Sequence, residues 1–131
     1  MNLQFSQGDM VSLAEKHNLE FVALFGSQAR GSTHDKSDID IAVISHTKLD
    51  IPGIMSEMSE IFKKEDVQVI DLSQASPTLM YAVVKDGKAL YEEKDASFFR
   101  WKLYAIKIWM ETSWLRNMRT KKIREWSVKT V

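Results

Sequence analysis

The segment Phe25-Gly26-Ser27-Gln28-Ala29-Arg30-Gly31, followed by Ser37-Asp38-Ile39-Asp40-Ile41-Ala42-Val43, decides the fold. An apolar run of strand length ends at Phe25, and a second apolar run surrounds the two aspartates. Residues two apart on a strand project to the same face, so Asp38 and Asp40 lie on one face and the apolar residues between them on the other. One face can therefore bind a ligand while the other packs against helices.

The two aspartates and the Gly-Ser turn have the chemistry that a nucleoside triphosphate requires. Attack on the α-phosphate builds charge on oxygens that are already anionic, so hard cations held by carboxylate oxygens must neutralise it. Asp38 and Asp40 are suited to hold such a cation. Gly26 permits close approach of the backbone to a ligand, and the Ser27 hydroxyl can donate a hydrogen bond to a phosphate oxygen. The pattern indicates nucleotidyl transfer.

Two other polar residues of this segment each have two possible roles, and the histidines have none that the sequence indicates. Arg30 is the nearest cation, and it suits either a phosphate or a structural carboxylate. Ser37 can orient a carboxylate or contact the nucleotide, and ordinary loop chemistry explains it equally well. His17, His34 and His46 are scattered without metal-ligand spacing, so we assign them no role.

The motif also resembles a known family. Gly26-Ser27, the ten residues from Gln28 to Ser37, and Asp38-Ile39-Asp40 resemble the motif of the DNA polymerase β-like nucleotidyltransferase superfamily. The longer string GSQARGSTHDKSDIDIAV is similar to the minimal nucleotidyltransferases, whose members include antitoxins paired with HEPN-domain toxins. The resemblance covers roughly residues 10 to 92.

This resemblance implies an enzyme with ATP as co-substrate and two Mg²⁺ ions. AMP would pass to a tyrosine hydroxyl on a cognate HEPN ribonuclease toxin and so neutralise it. Asp38 and Asp40 would hold the ions, with Gly26, Ser27, Arg30 and Ser37 at the nucleotide.

Such enzymes usually carry a third carboxylate on a neighbouring strand. We assign this role to Asp71, near the end of the strand-like run 66–72, as a metal ligand and catalytic group. Asp66, in a charged turn at the start of that run, is the competing candidate.

Two other functions stay open at this stage. The acceptor can be RNA or a small molecule instead of a protein, because a basic segment with aromatic residues attracts phosphates and stacks bases. The chain can also be a non-catalytic antitoxin that neutralises its partner by occlusive binding.

The order of apolar patterns and turn residues predicts an α/β (α+β) fold, and the resemblance implies that this fold is of the nucleotidyltransferase type. We expect a small mixed sheet with helices on one face and a long C-terminal helix. Ser6 suits the cap of a first helix, and Pro52 and Pro77 suit the first turns of later helices. The predicted strands are residues 19–25, 38–45, a run ending at Asp71, and 88–92.

The length of 131 residues suits one compact domain, which we divide into a nucleotidyltransferase part, 1–94, and a C-terminal extension of the same domain, 95–131. The chain has no cysteine, which suits a reducing cytoplasm. No apolar run approaches the ~20 residues that span a bilayer. We therefore expect a cytoplasmic protein without a membrane segment.

The C-terminal extension differs from the rest in charge and aromatic content. Residues 1–99 carry nine Lys and Arg against sixteen Asp and Glu, whereas residues 100–131 carry nine against two. All four tryptophans lie in the extension, which lacks Gly and Pro and is predicted to form one long or slightly broken helix. It is either an interface for homo- or hetero-oligomers or a helix packed on its own domain; direct nucleic-acid binding stays open.

Overall fold

The computed structural model describes residues 4–30 and 38–129, without the side chains of residues 27, 28 and 127–129. Helices and strands follow one another in the alternating order that the sequence predicts. In chain order the elements are α1 (Gln7–Lys16), β1 (Leu19–Phe25), α2 (Ser27–Arg30), β2 (Ile39–Ser45), α3 (Ile51–Phe62), β3 (Val67–Asp71), a 3₁₀ turn (Leu72–Gln74), α4 (Pro77–Asp86), β4 (Lys88–Glu92), α5 (Ser97–Glu111) and α6 (Ser113–Lys129).

The four strands form one mixed sheet in the order β3-β2-β1-β4. Strand β1 is antiparallel to both β2 and β4, whereas β2 and β3 are parallel. Parallel neighbours need a crossover connection, and α3 supplies it. The predicted mixed sheet is confirmed.

Helices cover both faces of this sheet, so the expectation of helices on one face is wrong. Helices α1 and α3 pack on the face that carries Ile39 and Ile41. Helices α4 and α5 pack on the opposite face, against Phe21, Ala23 and Ala42. The physical reason lies in β1 and β2, whose consecutive residues are apolar, as in strands that are buried on both sides.

Side-chain caps fix where the helices begin. Ser6 accepts a hydrogen bond from the backbone N–H of Asp9 at 3.3 Å, and Ser76 accepts one from Leu79 at 3.2 Å. Proline stands in the first turns of α3 and α4, where its missing N–H leaves no helical bond unmade. These starts agree with the sequence prediction.

The C-terminal segment is a broken helix, with the break at Thr112. The first half of α5 belongs to the core, because Phe98, Trp101 and Ala105 are buried against the sheet. Helix α6 and the outer side of α5 expose large apolar side chains, among them Leu103, Tyr104, Met110, Trp114, Leu115, Met118 and Ile123. In the part of the chain that the structure describes, no helix is long and apolar enough to cross a membrane.

Candidate active site

Gly26 lies where β1 turns into α2, directly against the Asp40 carboxylate. Its φ of 74° is in the left-handed region that glycine adopts readily. A Cβ at this position would lie 2.5 Å from Oδ2 of Asp40. The strand pairing explains the approach, since Phe25 and Asp40 are opposite each other on β1 and β2. Glycine is therefore required here both by the backbone conformation and by the carboxylate beside it.

Asp38 and Asp40 stand at the start of β2. Asp38 is exposed just before the strand, and Asp40 is partly buried within it. Burial raises the pKa of Asp40, the negative charge of Asp38 raises it further, and the Arg30 guanidinium lowers it. The two carboxylates therefore interact unfavourably when both are ionised.

A divalent cation would offset this repulsion. Hard cations such as Mg²⁺ take carboxylate oxygens as ligands, and the pair at the start of β2 supplies them. The open backbone at Gly26 leaves room beside Asp40 that a side chain would fill. The residues present therefore fit a cation with a phosphate group beside it.

Arg30, at the end of α2, is paired with a carboxylate. Its Nη1 donates a hydrogen bond to Oδ2 of Asp86 at 3.0 Å, across to the end of α4. The structural reading of Arg30 is thus observed, while its contact with a phosphate stays a prediction. The side chain of Ser27, and Ser37 as a whole, lie outside the described residues, so their roles also stay predictions.

The structure does not bring Asp71 to the other two aspartates. In the parallel pairing of β2 with β3, Asp71 is opposite Val43 and lies three residues farther along the sheet than Asp40. That distance is about 10 Å along the strand. Strand alternation also puts Asp71 on the other face, and its carboxylate accepts hydrogen bonds from the N–H and hydroxyl of Ser73 at 2.9 and 2.7 Å.

The assignment of Asp71 as the third metal ligand therefore has no support in the geometry. Across residues 4–30 and 38–129, no group of three or more His, Asp or Glu side chains is placed to hold a metal ion. The carboxylate of Asp71 instead caps the 3₁₀ turn that follows β3. It has a local structural role.

Two residues of β3 and its preceding turn do lie beside the aspartates: Asp66, which the sequence offered as the competing candidate, and Gln68, which sequence reasoning missed. Gln68 is the register partner of Asp40. Ile39 lies between Asp38 and Asp40, and its backbone N–H donates a hydrogen bond to the carbonyl of Asp66 at 2.9 Å. The alternation in Val67-Gln68-Val69 was the available signal, because it puts the glutamine on the polar side of the strand.

Comparison with known proteins agrees with this fold and motif. A family model described as "Polymerase beta, Nucleotidyltransferase" matches residues 10–96, which is more than half of the chain. The chain belongs to this nucleotidyltransferase family. The match includes the Gly-Ser turn and both aspartates of β2, so the predicted family is confirmed.

Two curated relatives of this nucleotidyltransferase are named protein adenylyltransferase MntA. The protein of Aphanizomenon flos-aquae is 31% identical over 93 residues, which cover 61% of each chain. The protein of Shewanella oneidensis is 33% identical over 92 residues, which cover 67% of this chain and 66% of the relative. The matched segments thus span less than two thirds of either relative.

Solved structures match over more of the nucleotidyltransferase. One chain of a toxin–antitoxin crystal structure with AMP-PNP has a TM-score of 0.75 and 25% identity, and the match covers 91% of this chain and 98% of that one. A tri-AMPylated Shewanella oneidensis HEPN toxin in complex with its MNT antitoxin contains a chain with a TM-score of 0.69 and 23% identity, with 90% of this chain and 95% of that one covered. The second likeness concerns the fold alone.

Proposed function

We propose that this chain is an antitoxin that transfers AMP from ATP to a hydroxyl of a cognate HEPN-type toxin and so neutralises it. The acceptor hydroxyl is that of a tyrosine. The reaction requires ATP and Mg²⁺, which the cytoplasm supplies.

The close approach of Gly26 to Asp40 is the observation that carries the proposal. It joins the turn at the end of β1 to the carboxylate pair at the start of β2, so a phosphate and a cation can be held side by side. The names of the two curated relatives support a protein acceptor and an adenylyl donor. The likeness to a chain crystallised in a toxin–antitoxin complex with AMP-PNP supports both the partner class and the nucleotide.

Asp38 and Asp40 would hold two Mg²⁺ ions, and Gly26 with Ser27 would hold the triphosphate. When bound, Mg²⁺ neutralises the charge that develops on the phosphate oxygens. Arg30 is close enough to Asp40 to affect its pKa and would add a positive charge near the phosphates. Ser37 would contact the nucleotide or orient a carboxylate.

The reaction forms a bond between the acceptor oxygen and the α-phosphorus and breaks the bond from that phosphorus to pyrophosphate. The pyrophosphate leaves, and the hydroxyl proton passes to water. Positioning and charge stabilisation supply most of the rate in this class of reaction. The residues of β1 and β2 are therefore expected to affect the rate more than any others.

Occlusive binding is the second candidate. Two observations favour it: the described residues bring only two carboxylates together at the site, and α5 and α6 expose a large apolar surface. A partner that covers this surface can be neutralised without transfer of AMP.

Label transfer from α-labelled ATP with Mg²⁺ tests the proposal. The wild type and the double variant Asp38→Asn with Asp40→Asn are incubated in a lysate of the source cell, and protein and RNA fractions are separated. We expect one labelled protein band with the wild type and a loss of orders of magnitude with the double variant.

Other outcomes select other functions. Label in the RNA fraction would replace the protein acceptor with RNA. If the double variant still folds and neutralises its partner as well as the wild type does, occlusive binding accounts for the neutralisation.

A further inference from the structure

β3 carries a glutamine beside the carboxylate pair. Gln68 and Asp40 are register partners in the parallel pairing of β3 with β2, so their Cα atoms are separated only by the spacing of neighbouring strands, about 5 Å. The Gln68 side chain is exposed. It therefore has no core-packing reason to be at this position.

The packing of the neighbouring pairs fixes the face on which Gln68 lies. Ala42 and Ile70, two residues farther along each strand, both pack in the core beneath α4 and α5. Ile41 and Val69 both pack in the opposite core. Because side chains alternate along a strand, Gln68 projects to the same face as Asp40.

An amide differs from a carboxylate in the two respects that matter at such a site. Its carbonyl oxygen is an acceptable ligand for a hard cation, but it adds no negative charge. It also cannot take up a proton from an attacking hydroxyl under ordinary conditions.

We propose that Gln68 is the third group of this site and contributes a neutral amide oxygen beside Asp40. The chain then binds the cation with two negative charges, and the proton of the acceptor hydroxyl passes to water, because the one carboxylate of β3, that of Asp71, lies on the other face of the sheet. The proposal has two consequences: the cation binds more weakly, and AMP transfer is slower, than with a carboxylate at position 68. The second consequence rests on the proposed function, and the first does not.

Asp66 is the residue that competes with Gln68 for the place beside the two aspartates. Asp66 precedes β3 and contacts the backbone between Asp38 and Asp40 through its carbonyl. Its carboxylate is exposed, two residues before Gln68 along the chain. A role for Asp66 in place of Gln68 is therefore the alternative that the experiment must separate.

Mn²⁺ binding, measured by electron paramagnetic resonance during titration with MnCl₂, tests the first consequence without any reaction. Gln68→Glu adds a negative charge at the register partner of Asp40 and should tighten binding at least tenfold, or about 1.4 kcal/mol. Gln74→Glu makes the same change at an exposed residue of the 3₁₀ turn and should leave binding unchanged. Equal affinities of the two variants, or weaker binding by Asp66→Asn with no effect of Gln68→Glu, would overturn the proposal.

Gln68→Leu gives a second measurement should the charged variant fail to fold. It removes the amide oxygen at similar size, and weaker Mn²⁺ binding supports the proposal whereas unchanged binding contradicts it. Transfer of AMP is then compared among the folded variants, and Gln68→Glu should be faster than the wild type. Absence of transfer by every variant would reject the proposed function, while the Mn²⁺ titration would still decide the role of Gln68.

Discussion

Gly26 combines a left-handed backbone with a close approach to the Asp40 carboxylate. Gly26→Ala should destabilise the fold by about 1–2 kcal/mol, because an L-residue is disfavoured at this φ. The new methyl group must also displace Asp40, and a shift of ~1 Å at a reacting group can cost about 10²-fold in rate. Thermal unfolding and AMP transfer measure the two effects.

Gly8→Ala is the matched control. A Cβ at Gly8 would meet its nearest neighbour, the Ser6 hydroxyl oxygen, at an ordinary 3.8 Å, and the residue is exposed within α1. Alanine in a helix is more favourable than glycine by roughly 0.5–1 kcal/mol, so this variant should be as stable as the wild type or more so. Equal transfer by both variants would show that the space at Gly26 is not used.

Asp71→Asn tests whether Asp71 is the third metal ligand, as assigned from the sequence, or whether Gln68 takes that place, as the strand register favours. Asparagine keeps an oxygen that can accept the hydrogen bonds of Ser73, so stability should change by less than about 1 kcal/mol. Because Asp71 is on the other face from Asp40, AMP transfer should stay within a few-fold of the wild type. A loss comparable to that of Asp38→Asn, measured in the same assay, would return Asp71 to the site.

At the scale of elements, an ion pair joins α1 to α3. The Lys16 ammonium donates to Glu57 at 2.6 Å, and the His17 ring lies 3.2 Å from the other oxygen of the same carboxylate. The hydrogen bond from Lys16 is the main cause that lowers the pKa of Glu57, and burial partly opposes it. The contact holds together the two helices that cover one face of the sheet.

The stability that Glu57 contributes should depend on pH. Its pKa is lower in the folded than in the unfolded state, so the contribution is present above the ordinary glutamate value of about 4.5 and is lost as pH falls through the folded value. Glu57→Gln should unfold at a lower temperature than the wild type at pH 7, and the gap should close in acid. Glu60→Gln, at an exposed glutamate of the same helix, should show no such gap; a constant gap for Glu57→Gln would contradict the ionic origin.

The aromatic cluster at the start of α5 fixes that helix to the sheet. The ring of Trp101 lies 5.7 Å from that of Phe21 on β1 and 6.0 Å from that of Phe98. Trp101→Ala should cost about 3–5 kcal/mol, as expected for a buried aromatic residue. Trp114→Ala, at a side chain that is 57% exposed, should stay within about 0.5 kcal/mol, and chemical denaturation measures both. Similar losses would place the two rings in equivalent surroundings.

The elements were predictable because each has a local cause. Caps and prolines mark helix starts at Ser6 and Pro77, and the apolar run that stops at Gly26 marks β1 and its turn. The coverage of both sheet faces was also encoded in that run, whose consecutive apolar residues suit a strand buried on both sides. The expectation of helices on one face did not use this information.

The site was predictable as far as its residues are close in sequence. Gly26, Asp38 and Asp40 come from one turn and one strand, so spacing alone relates them. The third position depends on how β3 pairs with β2, and a shift of register changes both the neighbour and the face. Asp71 and Gln68 belong to the same short strand, and only the pairing decides which of them is beside Asp40.

At the scale of the whole molecule, charge and apolar surface are divided unevenly. The acidic residues 1–99 contain the candidate site, and the basic C-terminal segment contains the exposed rings and aliphatic side chains of α5 and α6. A surface with large apolar groups and arginines resembles the centre of a protein interface. The part of this surface that α6 carries lies beyond the buried half of α5, so it can be removed without opening the core.

Truncation after Thr112 should therefore keep the fold and lose the partner. It leaves Phe98, Trp101 and Ala105 in place, whereas truncation after Lys94 removes all three from the core and should leave an unfolded or molten chain. Circular dichroism and thermal unfolding compare the two forms, and capture of the proposed toxin partner, carrying a label, measures binding. The chain that ends at Thr112 is the one that tests the interface, because loss of binding by an unfolded chain gives no information about contacts. A folded chain ending at Thr112 that captures the toxin as well as the full chain does would show that α6 is not the binding element, and would direct attention to the exposed side of α5.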